Sequence, residues 1–140
     1  MSYDPQNIFA KILRGEASSI KVHEDEHTLT IMDVMPQADG HVLVLTKELA
    51  DEIFALSEAG AAACMLTARK AAIAVKVAFD ADGVLVAQYN GHAAGQTVPH
   101  VHMHVVPRTD GQPLRRHALS PENPNKLRAL AKKIIAAWPA

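Results

Sequence analysis

The chain has 140 residues, 49% hydrophobic and 21% charged, with a formal net charge of −1, which is ordinary globular usage and enough chain for one core without staples. No surplus of lysine and arginine advertises a nucleic-acid or membrane partner, and the lone cysteine excludes an internal disulfide and a multi-cysteine metal knot. Met1-Ser2-Tyr3-Asp4-Pro5 is unlike a signal peptide and no apolar run reaches the roughly 20 residues of a membrane span, so the expectation is a soluble, cytoplasmic domain.

Ile8, Phe9, Ile12 and Leu13 form one apolar helical stripe and Gly15 a stop, predicting a short helix over 6–14. Ile20-Lys21-Val22-His23 and Thr28-Leu29-Thr30-Ile31-Met32-Asp33 read as two hairpin strands around the charged turn Glu24-Asp25-Glu26-His27. Pro36 and Gly40 bracket a loop before a third, more buried strand, His41-Val42-Leu43-Val44-Leu45. Lys47 to Leu56 reads as a helical turn or two, and Ser57 begins a helix that runs to about Phe79. Cys64, Met65, Leu66, Ala68, Ala72, Ile73, Val75 and Phe79 fill its apolar side, with Arg69, Lys70 and Lys76 nearer water. Asp80-Ala81-Asp82-Gly83 ends it, and Val84 to Asn90 is a fourth strand. Arg108 to Leu119 is a loop. Asn123 and Pro124 then open an amphipathic helix carrying Leu127, Leu130, Ala131, Ile134, Ile135 and Trp138 on one face. With a fifth strand at 100–106 and no internal repeat, the order implies one α+β domain over residues 1–140 with an antiparallel sheet.

That fifth strand carries the chemistry. In His100-Val101-His102-Met103-His104-Val105-Val106, imidazole and apolar side chains alternate at the period of a half-buried strand, so the three histidines share one face and Val101, Met103 and Val105 enter a core. Same-face neighbours lie about 6.5–7 Å apart, too far for all three to bind one zinc ion at about 2.0–2.1 Å. Two neighbours could still form a metal pair. Imidazole is also a nucleophile that titrates near neutrality, so catalysis or anion binding is a second reading. The plainest is a polar sheet face that happens to carry histidine.

The 100–106 stretch resembles the His-φ-His-φ-His-φ-φ signature of the histidine-triad family of nucleotide hydrolases and transferases. Other segments share the likeness. Ile8-Phe9-Ala10-Lys11-Ile12 resembles the family's opening helix, and Ile31 to Ala38 with Gly40-His41-Val42-Leu43-Val44 resembles its nucleoside-binding segment, which includes Asp33 and Val34. Asn90, Ala94-Gly95-Gln96-Thr97-Val98 and Pro107-Arg108 are similar to the Hint-like bacterial branch. The resemblance spans 6–108 and leaves the tail, 109–140, poorly matched.

It implies a five-stranded antiparallel sheet per subunit, with a short N-terminal, a long central and a C-terminal helix, joined across a two-fold homodimer into ten strands. It also implies hydrolysis at the α-phosphate of an AMP-linked purine nucleotide, of the phosphoramidate type, without a cofactor. His102 would attack and form a nucleotidyl-histidine, one ring nitrogen being held as donor by a backbone carbonyl, and water would release AMP. His100 and His104 would steady the phosphate with His41. Thr97 would stand near the leaving group, and the Gln96 and Thr97 amides would bind phosphate oxygens beside Gly95, whose missing side chain admits the backbone. Asp33 would accept the ribose hydroxyls and Asn90 would help to fix the nucleotide.

Each residue also has a plainer reading. Asp33 could cap a turn, Asn90-Gly91 could be a turn dipeptide, and His41 alone reads as a satisfied core histidine. His23, His27, His92 and His117 read as surface or loop residues, and Trp138 as a helix-face residue. Bacterial relatives of the resembled branch bind structural zinc through a cysteine pair and a histidine where this chain has Asn7, Ala10 and Leu49, so no structural zinc is expected. Two other activities remain open, a dinucleoside polyphosphate hydrolase and a nucleotide-binding regulatory protein with little turnover.

Overall fold

In a computed structural model, which describes residues 2–116 and 120–140, five strands form one antiparallel sheet. They are β1 (Lys21–Glu24), β2 (Thr28–Met32), β3 (Val42–Thr46), β4 (Gly83–Ala87) and β5 (His102–Arg108), in the order β1-β2-β3-β5-β4. The α+β architecture matches the expectation. His117 and its neighbours Ala118 and Leu119 lie outside the described residues.

The helices are α1 (Ile8–Leu13), α2 (Glu58–Ala78) and α3 (Pro124–Ala137). Asn7 starts α1 by accepting the Ala10 N–H at 2.9 Å, so the residue that stands in place of a cysteine serves as a cap. Ser57 does the same for α2, accepting from Gly60 N at 3.0 Å. The α2 face turned inward is small, with Cys64, Ala68, Ala71, Ala74 and Val75 all buried, which lets the helix lie close to the sheet. Leu127, Ala131 and Ile134 of α3 complete that layer. Fully burying a side chain of this size contributes about 1.5–3 kcal/mol, so these contacts hold the helical layer on the strands. Burial pushes the Cys64 thiol up to about 11, and it serves as core rather than as a nucleophile.

The opposite sheet face is covered by α1, whose Phe9 packs with Leu29, Ile31, Leu43 and Leu45. Every residue of β2 and β3 is therefore buried, and the alternation read in Thr28–Met32 does not separate wet from dry. It separates two cores.

Several boundaries shift. The fifth strand runs from His102 rather than His100, because the Val101 N–H turns to the Ala50 carbonyl at 2.9 Å instead of entering the ladder. The fourth ends at Ala87, opposite His104. Beyond it Gln88 and Asn90 pair with each other through their amide side chains. Strand β4 lies at the sheet edge. No helix among the described residues is long and apolar enough to cross a membrane.

Candidate active site

Between α1, β2, β3 and β5 lies a cavity of about 290 Å³ whose wall joins Ile8, Phe9 and Leu43 to Asp33, Val34, Thr97, His102 and His104. It is mainly apolar with a few polar groups converging, the usual composition of a small-molecule site. A larger depression of about 670 Å³ beside Arg108–Pro113 is shallow and is walled by the strand ends at Gly83 and Arg108 and the loops next to them.

His102 opens β5, and its Nδ1 lies 2.6 Å from the His100 carbonyl. A carbonyl only accepts, so Nδ1 carries the proton and the neutral ring keeps its lone pair at Nε2. Phe9 packs edge-on against this ring with centroids 4.8 Å apart, which limits its rotation. The structure thus supplies the backbone carbonyl that the resemblance implied for His102.

His104 follows two residues later on the same face, its ring 5.1 Å from that of His102. Its Nδ1 lies 3.0 Å from His41 Nε2. His41, fully buried just before β3, receives the Gln37 backbone N–H on Nδ1 at 3.0 Å. Elimination then sets the protons. His41 Nδ1 accepts, so its Nε2 is the donor to His104 Nδ1, and His104 is protonated at Nε2. One backbone amide orders two imidazoles in series.

His100 is placed differently from the expectation. It is fully buried, but its Nε2–H donates to the Thr46 carbonyl at 2.7 Å and its Nδ1 accepts the Tyr3 hydroxyl at 2.5 Å. Both ring nitrogens are engaged by the protein, and the ring is absent from the cavity wall. Burial lowers its pKa from the usual histidine value, against the Thr46 carbonyl, and raises that of Tyr3. A neutral ring fits those partners. His100 thus reaches the site through its carbonyl, not through its imidazole.

Asp33, at the end of β2, is 6% exposed. One oxygen accepts the Met35 N–H at 2.9 Å and the other lies 3.4 Å from His41 Nε2. The turn-capping role coexists with a place on the cavity wall. The 91–98 loop is built around Gln96, whose side chain accepts the Gly91 N–H and donates to the Asp51 and Val98 carbonyls at 2.7–2.9 Å. The Gln96 backbone N–H donates to the Gly91 carbonyl at 3.1 Å. That amide is committed to the turn rather than to a phosphate, which corrects the expectation for it. Gly95 takes φ +102 there, a conformation that side chains rarely adopt. Asn90 accepts the Ile53 N–H at 2.7 Å, tying this loop to the turn after β3, and lies off the cavity wall. Thr97 reaches that wall from an exposed position.

Ligand atoms of Asp33, His41 and His104 lie within 4.8 Å of one another, close enough to raise a metal site. The donor pattern opposes it. A metal on His41 Nε2 would move the ring proton to Nδ1, where the Gln37 N–H already points, and two donors would face each other. The structural-zinc position fits no better: Asn7 caps α1, Ala10 is buried, and the exposed Leu49 offers no ligand atom. Tyr3, Phe9 and Gln37 escaped the sequence reading as individual site residues. Phe9 was visible only as a helix stripe, and Tyr3 meets a partner 97 residues away. His23 is half-buried, stacked on Trp138 at 4.5 Å, while His27 and His92 are exposed as expected.

Residues 14–111 match the family model of the HIT domain. A Hit-like protein of Bartonella henselae, described as involved in cell-cycle regulation and solved with an unknown ligand, superposes with a TM-score of 0.93 at 40% identity, covering 98% of this chain and 99% of that one. A zinc-bound histidine triad family protein of Mycobacterium smegmatis gives a TM-score of 0.82 at 32% identity, covering 94% and 92%. The adenosine 5′-monophosphoramidase hnt1 of Schizosaccharomyces pombe is 32% identical over 133 residues, 91% of this chain and 94% of its own. With its family model matched over most of its length and the fold reproduced in these relatives, the chain belongs to the HIT family, whose members include nucleotide-binding proteins and hydrolases.

Proposed function

We propose that this protein hydrolyses AMP-linked purine nucleotides of the phosphoramidate class through a covalent intermediate on His102. The observation that carries the reading is the 2.6 Å bond from His102 Nδ1 to the His100 carbonyl, which fixes the tautomer whose lone pair lies at Nε2 on the cavity wall. Nε2 attacks the α-phosphorus and the P–N bond to the histidine forms as the bond to the leaving amine breaks. The amine leaves with the electron pair and takes a proton from solvent water at the exposed Thr97 end. Water then cleaves the phosphorus–histidine bond and AMP departs. Through its Nε2–H, His104 donates to the phosphate as charge builds, the type of contact that lowers a barrier when it is preorganised. Asp33 accepts from the ribose, and Ile8, Phe9 and Leu43 hold the base. The hnt1 likeness supports the substrate class.

We further propose a homodimer in the cytoplasm, with the two β4 edges continuing one sheet. Met65, Leu66, Ile73 and Val77 leave an apolar surface on α2 beside that edge, and an unpaired edge with apolar neighbours favours a partner.

The deciding experiment uses His102→Ala with an adenosine phosphoramidate and with AMP. The expected outcome is loss of turnover with AMP binding kept, and wild-type protein quenched in denaturant without acid carries labelled nucleotide on His102. Robust turnover by His102→Ala would overturn the mechanism.

A further inference from the structure

Described residues after β5 grip the loop that carries Asp33 and His41 at three points. The Glu122 N–H donates to the Val34 carbonyl at 2.8 Å, and the Arg115 N–H to the Gln37 carbonyl at 2.8 Å. The Arg115 guanidinium reaches Asp39 at 2.6 Å, and Lys126, in the first turn of α3, reaches the same oxygen at 3.2 Å while also pairing with Glu122. Burial raises the Asp39 carboxyl, but Arg115 and Lys126 outweigh it and hold it below the usual aspartate value. Exposed ion pairs contribute little alone. The backbone bonds give the grip its direction.

Gln37 stands in the middle. Its N–H is the donor that orders His41, and its carbonyl is the acceptor for Arg115. Between Asp33 and Gly40 the chain forms no helix or strand that would hold Gln37 by itself. We propose that Arg115, Glu122 and Lys126 act together as a strap that positions the Gln37 amide, and through it the tautomers of His41 and His104, which makes Arg115 a positioning residue for catalysis. This rests on the phosphoryl-transfer reading above.

The consequence follows the hydrogen-bond chain. If the Gln37 amide drifts, His41 loses the donor that keeps its Nδ1 bare, and although the Asp33 carboxylate 3.4 Å from Nε2 still favours the proton there, the Nδ1–H tautomer gains population. His104 then loses its fixed partner and presents Nε2–H for only part of the time. Of the nucleoside wall, Ile8, Phe9 and Leu43 stand on α1 and β3, away from the strap, while Asp33 and Val34, on the gripped loop, keep the Glu122 N–H bond to the Val34 carbonyl when Arg115 changes. Turnover therefore falls more than substrate binding.

The test combines steady-state kinetics on an adenosine phosphoramidate with ring-nitrogen NMR of 15N-histidine-labelled protein. Arg115→Pro deletes the N–H, and Arg115→Ala keeps it while losing the ion pair. In wild type, His41 and His104 should both show protonated Nε2. In Arg115→Pro their ring shifts should move toward mixed tautomers, with kcat at least tenfold lower and KM within threefold; Arg115→Ala should lose clearly less. Should the proline variant fail to fold, Asp39→Ala loosens the strap from its exposed side. It should lower kcat at least twofold with the same drift in ring shifts, and Asp39→Glu should restore both. Wild-type shifts and wild-type kcat in whichever of the two folds would overturn the strap, as would equal losses in Arg115→Pro and Arg115→Ala. A wild-type protein inactive on every nucleotide would refute the function, and the NMR comparison would still decide the strap.

Discussion

Asp33→Asn separates nucleotide recognition from bond-making. The substitution keeps the size and leaves one oxygen for the Met35 N–H, now at 2.9 Å. It removes the negative charge that would accept the ribose hydroxyls. A hydrogen bond to a charged group is worth about 1.5–3 kcal/mol against about 0.5–1.5 for a neutral one. With two hydroxyls on one carboxylate, the expected loss is about 1.5–3 kcal/mol, or roughly 10- to 150-fold in affinity for AMP. A smaller effect on kcat accompanies it. The new amide lies where a carboxylate oxygen stood 3.4 Å from His41 Nε2, so it meets that N–H with a second donor or rotates and abandons Met35. Because Asp33 is only 6% exposed, that mismatch is buried, and a modest fall in melting temperature should accompany the loss of affinity. Calorimetric titration with AMP, phosphoramidate kinetics and a thermal scan distinguish these effects. AMP affinity within twofold of wild type would refute the ribose assignment. Equal losses in affinity and melting temperature would mean that the substitution damaged the fold instead.

The buried His100 makes stability depend on pH. Burial lowers its folded-state pKa, so between that value and the unfolded value of about 6.5 the unfolded chain binds more protons; stability should be level above about pH 6.5 on this account and fall on acidification below it, and Tyr3→Phe, which leaves the His100 Nδ1 without its donor, should cost about 1–3 kcal/mol in denaturant titration at neutral pH with little change in KM. A chelator should leave the initial rate unchanged, and a rate restored by zinc alone after chelation would contradict the proton assignment of His41. Sedimentation at micromolar concentration should give about twice the 15.1 kDa chain mass, and Val86→Lys on the β4 edge should shift it toward the monomer.

Local periodicity and punctuation determined the elements. Ser57 and the Asn123-Pro124 pair each cap the helix that their positions announced, because a cap is satisfied within about three residues of itself, whereas Asn7, read inside the first helix, caps it instead. The alternation of His100 to Val106 likewise placed His102 and His104 on one face and Met103 and Val105 in the helix-side core, since the strand period is a property of the backbone. The family motifs, local strings too, marked Asp33, His41 and Thr97.

What remained illegible is set by partners far along the chain. The His41–His104 bond spans 63 residues and the Tyr3–His100 bond 97, and both exist only because β5 inserts beside β3 and the N-terminal segment lies over the histidines. Each imidazole has two possible tautomers in the sequence, and the neighbouring carbonyl, amide or hydroxyl selects one. The same strand thus yields three different histidines: His100 buried as a support, His102 oriented through Nδ1, and His104 ordered by an amide two hydrogen bonds away. The strand boundary moved for the same reason, because Val101 found the Ala50 carbonyl before it could join the ladder. Residue type and spacing therefore settled which groups line the cavity strand, while tertiary hydrogen bonds, which depend on distance in space and not along the chain, decided where each proton sits.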